Sequence, residues 1–318
     1  MTEKEDFPHV PCRCLCIEEN GAEIEYNGIL PLTTRGGMKS GKYKIPGNIS
    51  SQFISGLIFA LPLLSGDSII EISGKIESLP YIEMTLDSVK KFGIRAEFSE
   101  NTIKIPGGQK YTSPGRLTVE GDWSNAAFWL CLGALSEKGI TCHGIKKDSI
   151  QGDREIVNIL KRFGAEVNQD EESVTVRKGK LSGISIDAVA IPDLAPIITV
   201  VASVSEGETV IYNAERLRIK ESDRIESTVA MLKNLGGESY PTEDGIRVIG
   251  KEKLSGGKVD SFNDHRIAMS AAISAAVCSG AVTIMGAEAA NKSYGDFFER
   301  YTALGAEVIE GEEKWHRK

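Results

Sequence analysis

Long apolar runs are missing from this 318-residue chain: no stretch reaches the roughly 18 uninterrupted apolar residues of a helical membrane span. The opening Met1-Thr2-Glu3-Lys4-Glu5-Asp6 is too charged for a secretory signal, so a cytoplasmic protein with no membrane partner is expected. An excess of positive charge is also missing. With 37 basic and 45 acidic residues, a net charge of −8 and a pI of 5.3, the composition argues against broad binding to nucleic acid or anionic lipid. Any anion site must then be a local concentration of cations. Histidine is scarce, at four residues, and the six cysteines lack CxxC spacing. Three fall in Cys12-Arg13-Cys14-Leu15-Cys16, and Cys131, Cys142 and Cys278 stand singly in apolar contexts, so neither a disulfide framework nor a metal centre is expected. No GxGxxG follows a strand pattern; Gly36-Gly37 and Gly107-Gly108 read as turns. What remains is ordinary globular material, 41% apolar and 26% charged, long enough for two domains of about 150 residues.

That material repeats. A short helix end followed by Gly and a new strand recurs as Glu19-Asn20-Gly21-Ala22-Glu23-Ile24, Lys91-Phe92-Gly93-Ile94, Arg162-Phe163-Gly164-Ala165-Glu166-Val167, Asn234-Leu235-Gly236-Gly237 and Ala303-Leu304-Gly305-Ala306-Glu307-Val308. From Gly21 to Gly93, Gly164, Gly236 and Gly305 the successive spacings are 72, 71, 72 and 69 residues. Each Gly is read as the left-handed residue that closes a helix, and the alternation beyond it as a strand. A first helix start in each unit is placed at Ser50, Ser124, Asp193 and Arg266, and a second at Tyr81, Gly152, Arg224 and Ser293. The unit thus reads strand, helix, strand, helix, strand, strand, an α/β (α+β) pattern. Phe53, Leu57, Ile58 and Leu61, and later Ile225, Val229 and Leu232, fall at helical spacing and should face sheets.

Several side chains contradict their local structure. Arg224, Arg266 and Lys292 each stand at or just before a helix start, where the helix dipole disfavours a cation unless an anion compensates it. Their recurrence points to a shared ligand anion, with arginines suited to bidentate oxygen contacts and lysine to a mobile point charge. The alternative is that Asp223 and Asp264 neutralise their neighbours in surface pairs. Ser50-Ser51-Gln52 offers hydroxyls and an amide at a helix start, where a plain N-cap is the competing explanation. Asp193 follows Pro192 at a strand-to-helix junction, and Glu221 lies between Lys220 and Arg224. Carboxylates among cations suit proton transfer, with helix capping the competing explanation for Asp193. His265 is read as a structural hydrogen-bonding residue, and Trp123, Phe128 and Trp129 as core or interface.

Pro46-Gly47-Asn48-Ile49-Ser50-Ser51-Gln52-Phe53, Leu79-Pro80-Tyr81, Val119-Glu120-Gly121-Asp122-Trp123-Ser124, Gln151-Gly152-Asp153, Ile191-Pro192-Asp193, Lys220-Glu221-Ser222-Asp223-Arg224, Asn263-Asp264-His265-Arg266 and Lys292-Ser293-Tyr294 together resemble the 5-enolpyruvylshikimate-3-phosphate synthase family. The resemblance runs from about Gly21 to Gly305, and the ESDR and NDHR segments in that order are its most specific part. It implies two domains of three βαβαββ units that close over ligands between them. It also implies transfer of the enolpyruvyl group of phosphoenolpyruvate to the 5-hydroxyl of shikimate 3-phosphate, through a tetrahedral intermediate that loses phosphate, with no metal or organic cofactor. By the resemblance, Ser50, Ser51, Gln52, Ser78, Tyr81, Asp193 and Lys220 hold shikimate 3-phosphate; Arg224, Arg266 and Lys292 clamp phosphoenolpyruvate; Asp193 and Glu221 move protons. The role of Arg216 is left open.

Six units of about 71 residues would need about 426 residues, against 318 here. Residues 1–118 are accordingly expected to be what remains of an incomplete N-terminal domain, one full unit plus the end of another, and 119–318 a C-terminal domain of three units. The family's early Lys-Ser segment, its Asn-Ala-Gly-Thr segment and its Arg-Pro motif have no counterpart. The family expectation is a monomer, while incompleteness would favour self-association through exposed sheet edge and helix faces. Two alternatives stand beside the transferase: an inactive remnant that binds phosphorylated anions, and the related transferase acting on a UDP-sugar, which Ser50-Ser51-Gln52 and the Arg216–Arg224 run fit less well.

Overall fold

The computed structural model describes residues 16–25, 31–48, 50–76 and 79–311. Ser78, Cys12 and Cys14 lie outside the described residues. The chain divides into two compact units at Val119/Glu120, with Ile150–Gly152 grouped with the first. Among the described residues no helix is long and apolar enough to cross a membrane.

The first unit holds the antiparallel pair β1 (Ala22–Glu25) and β2 (Thr33–Gly36), followed by β3 (Lys42–Pro46), α1 (Ser51–Ala60), β4 (Ser68–Ser73), α2 (Leu79–Lys91), β5 (Glu97–Ser99) and β6 (Thr102–Ile105). The sheet order is β3-β4-β6-β5, with β3 and β4 parallel and the other pairings antiparallel. Alternation along β3 and β4 turns Tyr43, Ile45, Ile70 and Ile72 inward, where they meet Ile54, Leu57, Ile58 and Leu61 of the first helical stretch and Ile82 and Val89 of α2. Phe53 is only partly buried, and Phe59 and Leu63 stay exposed.

In the second unit the same motif returns. It contains α3 (Trp123–Leu135), β7 (Ile140–His143), α4 (Ile156–Phe163), β8 (Glu166–Gln169), β9 (Ser173–Arg177), β10 (Ser185–Asp187), α5 (Ala195–Ala202), β11 (Glu208–Tyr212), α6 (Arg224–Asn234), β12 (Glu238–Pro241), β13 (Ile246–Ile249), β14 (Gly257–Asp260), α7 (His265–Ser274), β15 (Val282–Met285) and α8 (Phe297–Ala303). The sheet β10-β11-β13-β12 repeats the order and the strand directions of β3-β4-β6-β5. Partial versions appear as β7-β9-β8 and β14-β15. Helices α3, α5 and α7 pack on one another, and their composition explains this: nearly every side of each is apolar or small, so each must be enclosed. Trp123, Phe128 and Trp129 lie in this core.

The five repeat glycines, Gly21, Gly93, Gly164, Gly236 and Gly305, all have φ between +82° and +101°. Gly164 shows why no other residue serves. It closes α4 at φ +101°, and a Cβ there would lie 2.3 Å from the Lys180 carbonyl oxygen. Gly164→Ala is expected to cost more than about 1 kcal/mol, read as a lower urea midpoint; an unchanged midpoint would contradict the close approach. Two expectations need correction. Beyond Gly305, residues 306–311 form no strand, since among the described residues no partner strand is offered to them. The last helix starts at Phe297 rather than Ser293, because Ala287–Lys292 already forms a 3-10 turn that ends at Ser293.

Candidate functional site

The second unit gathers Lys220, Arg224 and Arg266 around one carboxylate, Asp193. Asp193 lies in the 3-10 turn Pro192–Leu194 that leads into α5; the N-cap of that turn is Ile191 and that of α5 is Leu194, so Asp193 occupies neither cap position. Capping is therefore not its role. Arg224 Nη1 donates to Asp193 Oδ1 at 2.7 Å, Lys220 Nζ stands 3.6 Å from the same oxygen, and Arg266 Nη2 lies 3.4 Å from Oδ2. Burial alone would raise the Asp193 carboxyl, but Arg266, then Lys220 and Arg224, overrule it and hold it far below the ordinary carboxylate range.

The pairing of the arginines differs from the simple alternative. Asp223 does not neutralise Arg224. It caps α6 by accepting from Ile225 N and Glu226 N, and it pairs with Arg218 at 3.1 Å. Arg224, 2% exposed, reaches across to fully buried Asp264, with Nε to Oδ2 at 2.7 Å and Nη2 to Oδ1 at 3.2 Å. Asp264 also accepts from Ser222 Oγ and caps α7 through Arg266 N. Arg224 is thus committed to two carboxylates. Arg266 is not: its Nε and Nη1 are buried and donate to no acceptor among the described residues, and a buried donor left unmade is costly.

Glu221 forms a second centre. His265 Nδ1 is 3.0 Å from its carboxylate and Lys292 Nζ 3.6 Å, while Lys292 also donates to the Asn263 carbonyl. Burial would raise Glu221, yet the bond to His265, its charge, Arg224 and Lys292 bring it down to about 2. Lys220 is pushed down by its own burial, against the pull of Asp193, and by Arg224, Arg216 and Arg266. Glu221, Asp264 and His265 bring ligand atoms within 4.8 Å of one another. A divalent cation there would also have to face Arg224 and Lys292, which already answer these carboxylates.

The first unit brings Ser51, Gln52 and Tyr81 to one pocket between α1 and α2, lined also by Ser55, Thr85 and Ser88. The Ser50 hydroxyl accepts from Gln52 N, the plain N-cap considered above. One buried acid escaped assignment from the sequence. Asp153, 3% exposed, accepts from Ser124 Oγ, and nothing in the Gln151-Gly152-Asp153 segment distinguishes it from a surface carboxylate. Asp264, expected to neutralise its neighbour in a surface pair, is instead fully buried, and its role as counter-ion to Arg224, 40 residues away, has no sequence signal.

A family model described as EPSP synthase (3-phosphoshikimate 1-carboxyvinyltransferase) matches residues 15–301. The 3-phosphoshikimate 1-carboxyvinyltransferase of Clostridium kluyveri is 47% identical over 285 residues, covering 89% of this chain and 66% of that protein. That of Clostridium acetobutylicum is 49% identical over 283 residues, covering 89% and 65%. An EPSP synthase structure from Acinetobacter baumannii superposes with a TM-score of 0.76 at 27% identity, covering 92% of this chain and 70% of that one. The chain spans just under two thirds of the length of these curated relatives.

Proposed function

Because the chain belongs to the EPSP synthase family, we propose that it carries the phosphoenolpyruvate-binding and proton-transfer groups for moving an enolpyruvyl group to the 5-hydroxyl of shikimate 3-phosphate, with release of phosphate. The observation that carries this reading is Arg266, with two buried donors that meet no acceptor among the described residues beside an ionised Asp193. Nε and Nη1 lie on different edges of the planar guanidinium, so an oxyanion on one and a second acceptor on the other satisfy both, and Lys292, beside Glu221 and bonded to the Asn263 carbonyl, adds a mobile charge.

Attack of the hydroxyl on the enol carbon needs a proton acceptor, and protonation of the methylene carbon needs a donor. Asp193 and Glu221 are both ionised, so each begins as an acceptor. Held so low, Asp193 is a weak base. An anion on Arg266 competes for the cation that lowers Asp193 most, which raises its basicity once substrate is bound. Of the neighbouring cations, Lys220 is made readier to donate a proton by its burial. In the first unit, Ser51, Gln52 and Tyr81 offer hydroxyl and amide groups for shikimate 3-phosphate.

The test is coupled phosphate release from phosphoenolpyruvate and shikimate 3-phosphate. The chain alone is expected to be silent, because the family's Lys-Ser segment has no counterpart in it. A mixture with the N-terminal fragment of the Clostridium kluyveri relative is expected to turn over, and Arg266→Ala to lower that turnover at least about a hundredfold. Equal rates with and without the arginine would overturn the assignment. Turnover with a UDP-sugar acceptor in place of shikimate 3-phosphate would replace the acceptor.

A further inference from the structure

The 3-10 turn Gly152–Glu155 carries Asp153 into the same neighbourhood as Asp193 and Arg266 without giving it a part in the chemistry above. Its surroundings are built from helix starts. Ser124, in the first turn of α3, donates to Asp153 Oδ2, and Asp122 caps that turn through Ser124 N and Asn125 N. The turn bearing Asp193 packs on α3, and so does α7, which begins at His265 and Arg266. Asp153 Oδ1 is buried and accepts from nothing among the described residues. This half-satisfied carboxyl is an expensive place for a charge unless something compensates it.

We propose that Asp153 is a positioning residue for the anion site: anchored by Ser124, it competes electrostatically with an incoming anion for the Arg266 guanidinium, and its charge sets how tightly that anion is held. The proposal rests on the reading of Arg266 as the anion-binding group. The charged and titratable groups acting on Asp153 come from each element around it. Burial, then the negative charge of Asp193, push its carboxyl up to about 6; Arg266 and the Ser124 hydroxyl pull it down, and Asp122 adds a smaller upward push. Lys220 and Arg224 act on the adjoining Asp193. The sign follows. Below about pH 6 Asp153 is neutral and Arg266 answers to Asp193 alone; above it a second negative charge joins, and an external anion is held less tightly. By linkage, a bound anion raises the Asp153 carboxyl further and is accompanied by proton uptake.

The experiment is calorimetric titration of sulfate, whose charge is constant over this range, into the 318-residue chain at fixed ionic strength, compared with Asp153→Asn, Ser124→Ala and Arg266→Ala. In the unmodified chain the sulfate Kd is expected to rise roughly five- to tenfold between about pH 5 and about pH 7.5. Asp153→Asn, which still accepts the Ser124 hydroxyl, is expected to keep the tighter low-pH value throughout. Ser124→Ala removes a bond that supports the ionised form, so the midpoint moves to higher pH, and this variant also serves should Asp153→Asn fold poorly. A profile for Asp153→Asn that parallels the unmodified chain, or an unmoved midpoint in Ser124→Ala, overturns the role of Asp153 while leaving Arg266 in place. Undiminished sulfate binding by Arg266→Ala, or no binding by the unmodified chain, overturns the reading of Arg266 and this proposal with it.

Discussion

Replacing Asp193 with asparagine in the complemented enzyme is expected to slow phosphate release by about 10²–10⁴-fold, the range that a positioned proton acceptor contributes. The same change should tighten, not weaken, the hold on phosphoenolpyruvate. Asp193 is the common counter-ion of Arg224, Arg266 and Lys220. Once it is neutral, those cations have one negative charge fewer to answer to, and an anionic substrate meets a stronger field. The two effects separate in steady-state kinetics: kcat falls while the KM for phosphoenolpyruvate falls or holds. Asp193→Glu retains the charge and should leave KM near its starting value while displacing the acceptor oxygen. An unchanged kcat with a raised KM would mean that Asp193 only organises the cations and accepts no proton.

Arg224→Ala is expected to be the most destabilising single change in the second unit, at about 3–5 kcal/mol, because it strands an already buried charge. The charge in question is Asp264, fully buried and held by Nε and Nη2 of Arg224. What Asp264 would keep, the Ser222 hydroxyl and its cap of α7, does not neutralise it. Urea unfolding measures the loss. Arg224→Ala combined with Asp264→Asn should cost less than the sum of the single changes, since each removes the reason the other hurts, with a coupling of about 0.5–3 kcal/mol for groups in contact. Additive costs, or a loss below about 1 kcal/mol for Arg224→Ala, would indicate an exposed and weak pair.

Both results bear on how far the primary structure can be read. A cation at a helix start is a local contradiction, and it is visible because the dipole acts within the first turn. That was sufficient to single out Arg224, Arg266 and Lys292 together. It could not separate them, because the dipole argument contains no information about what else is close by. Arg224 proves to be saturated by Asp264 and Asp193, whereas Arg266 retains two buried donors with no acceptor among the described residues. Asp223 illustrates the same limit from the other side. Adjacent to Arg224 in the chain, it turns to the backbone of α6 and to Arg218 instead.

The periodic features needed no tertiary information. Five glycines in phase, the alternation of β3 and β4, and the all-round apolar helices α3, α5 and α7 are dictated by backbone conformation and by the need to bury apolar surface. That the strand order β3-β4-β6-β5 recurs as β10-β11-β13-β12 agrees with the repeat, while the order itself is seen only in the folded sheets. The irregular tail after Gly305 does not, because a strand exists only where a neighbour accepts its hydrogen bonds.

Asp153 marks where local reading stops. In the chain it is one of 45 acidic residues, preceded by a glycine and followed by Arg154. Its burial, its bond to Ser124 and its place in the field of Asp193 and Arg266 arise from segments 29, 40 and 113 residues away. The fold and the residue types of the site are thus properties of the chain read in order, since they depend on near neighbours and on periodicity. Which cation remains open to a ligand, and which carboxyl sits where it can oppose that ligand, were decided only by the packing of helix starts from distant segments, because Coulomb energies and desolvation depend on distance in space and not along the chain.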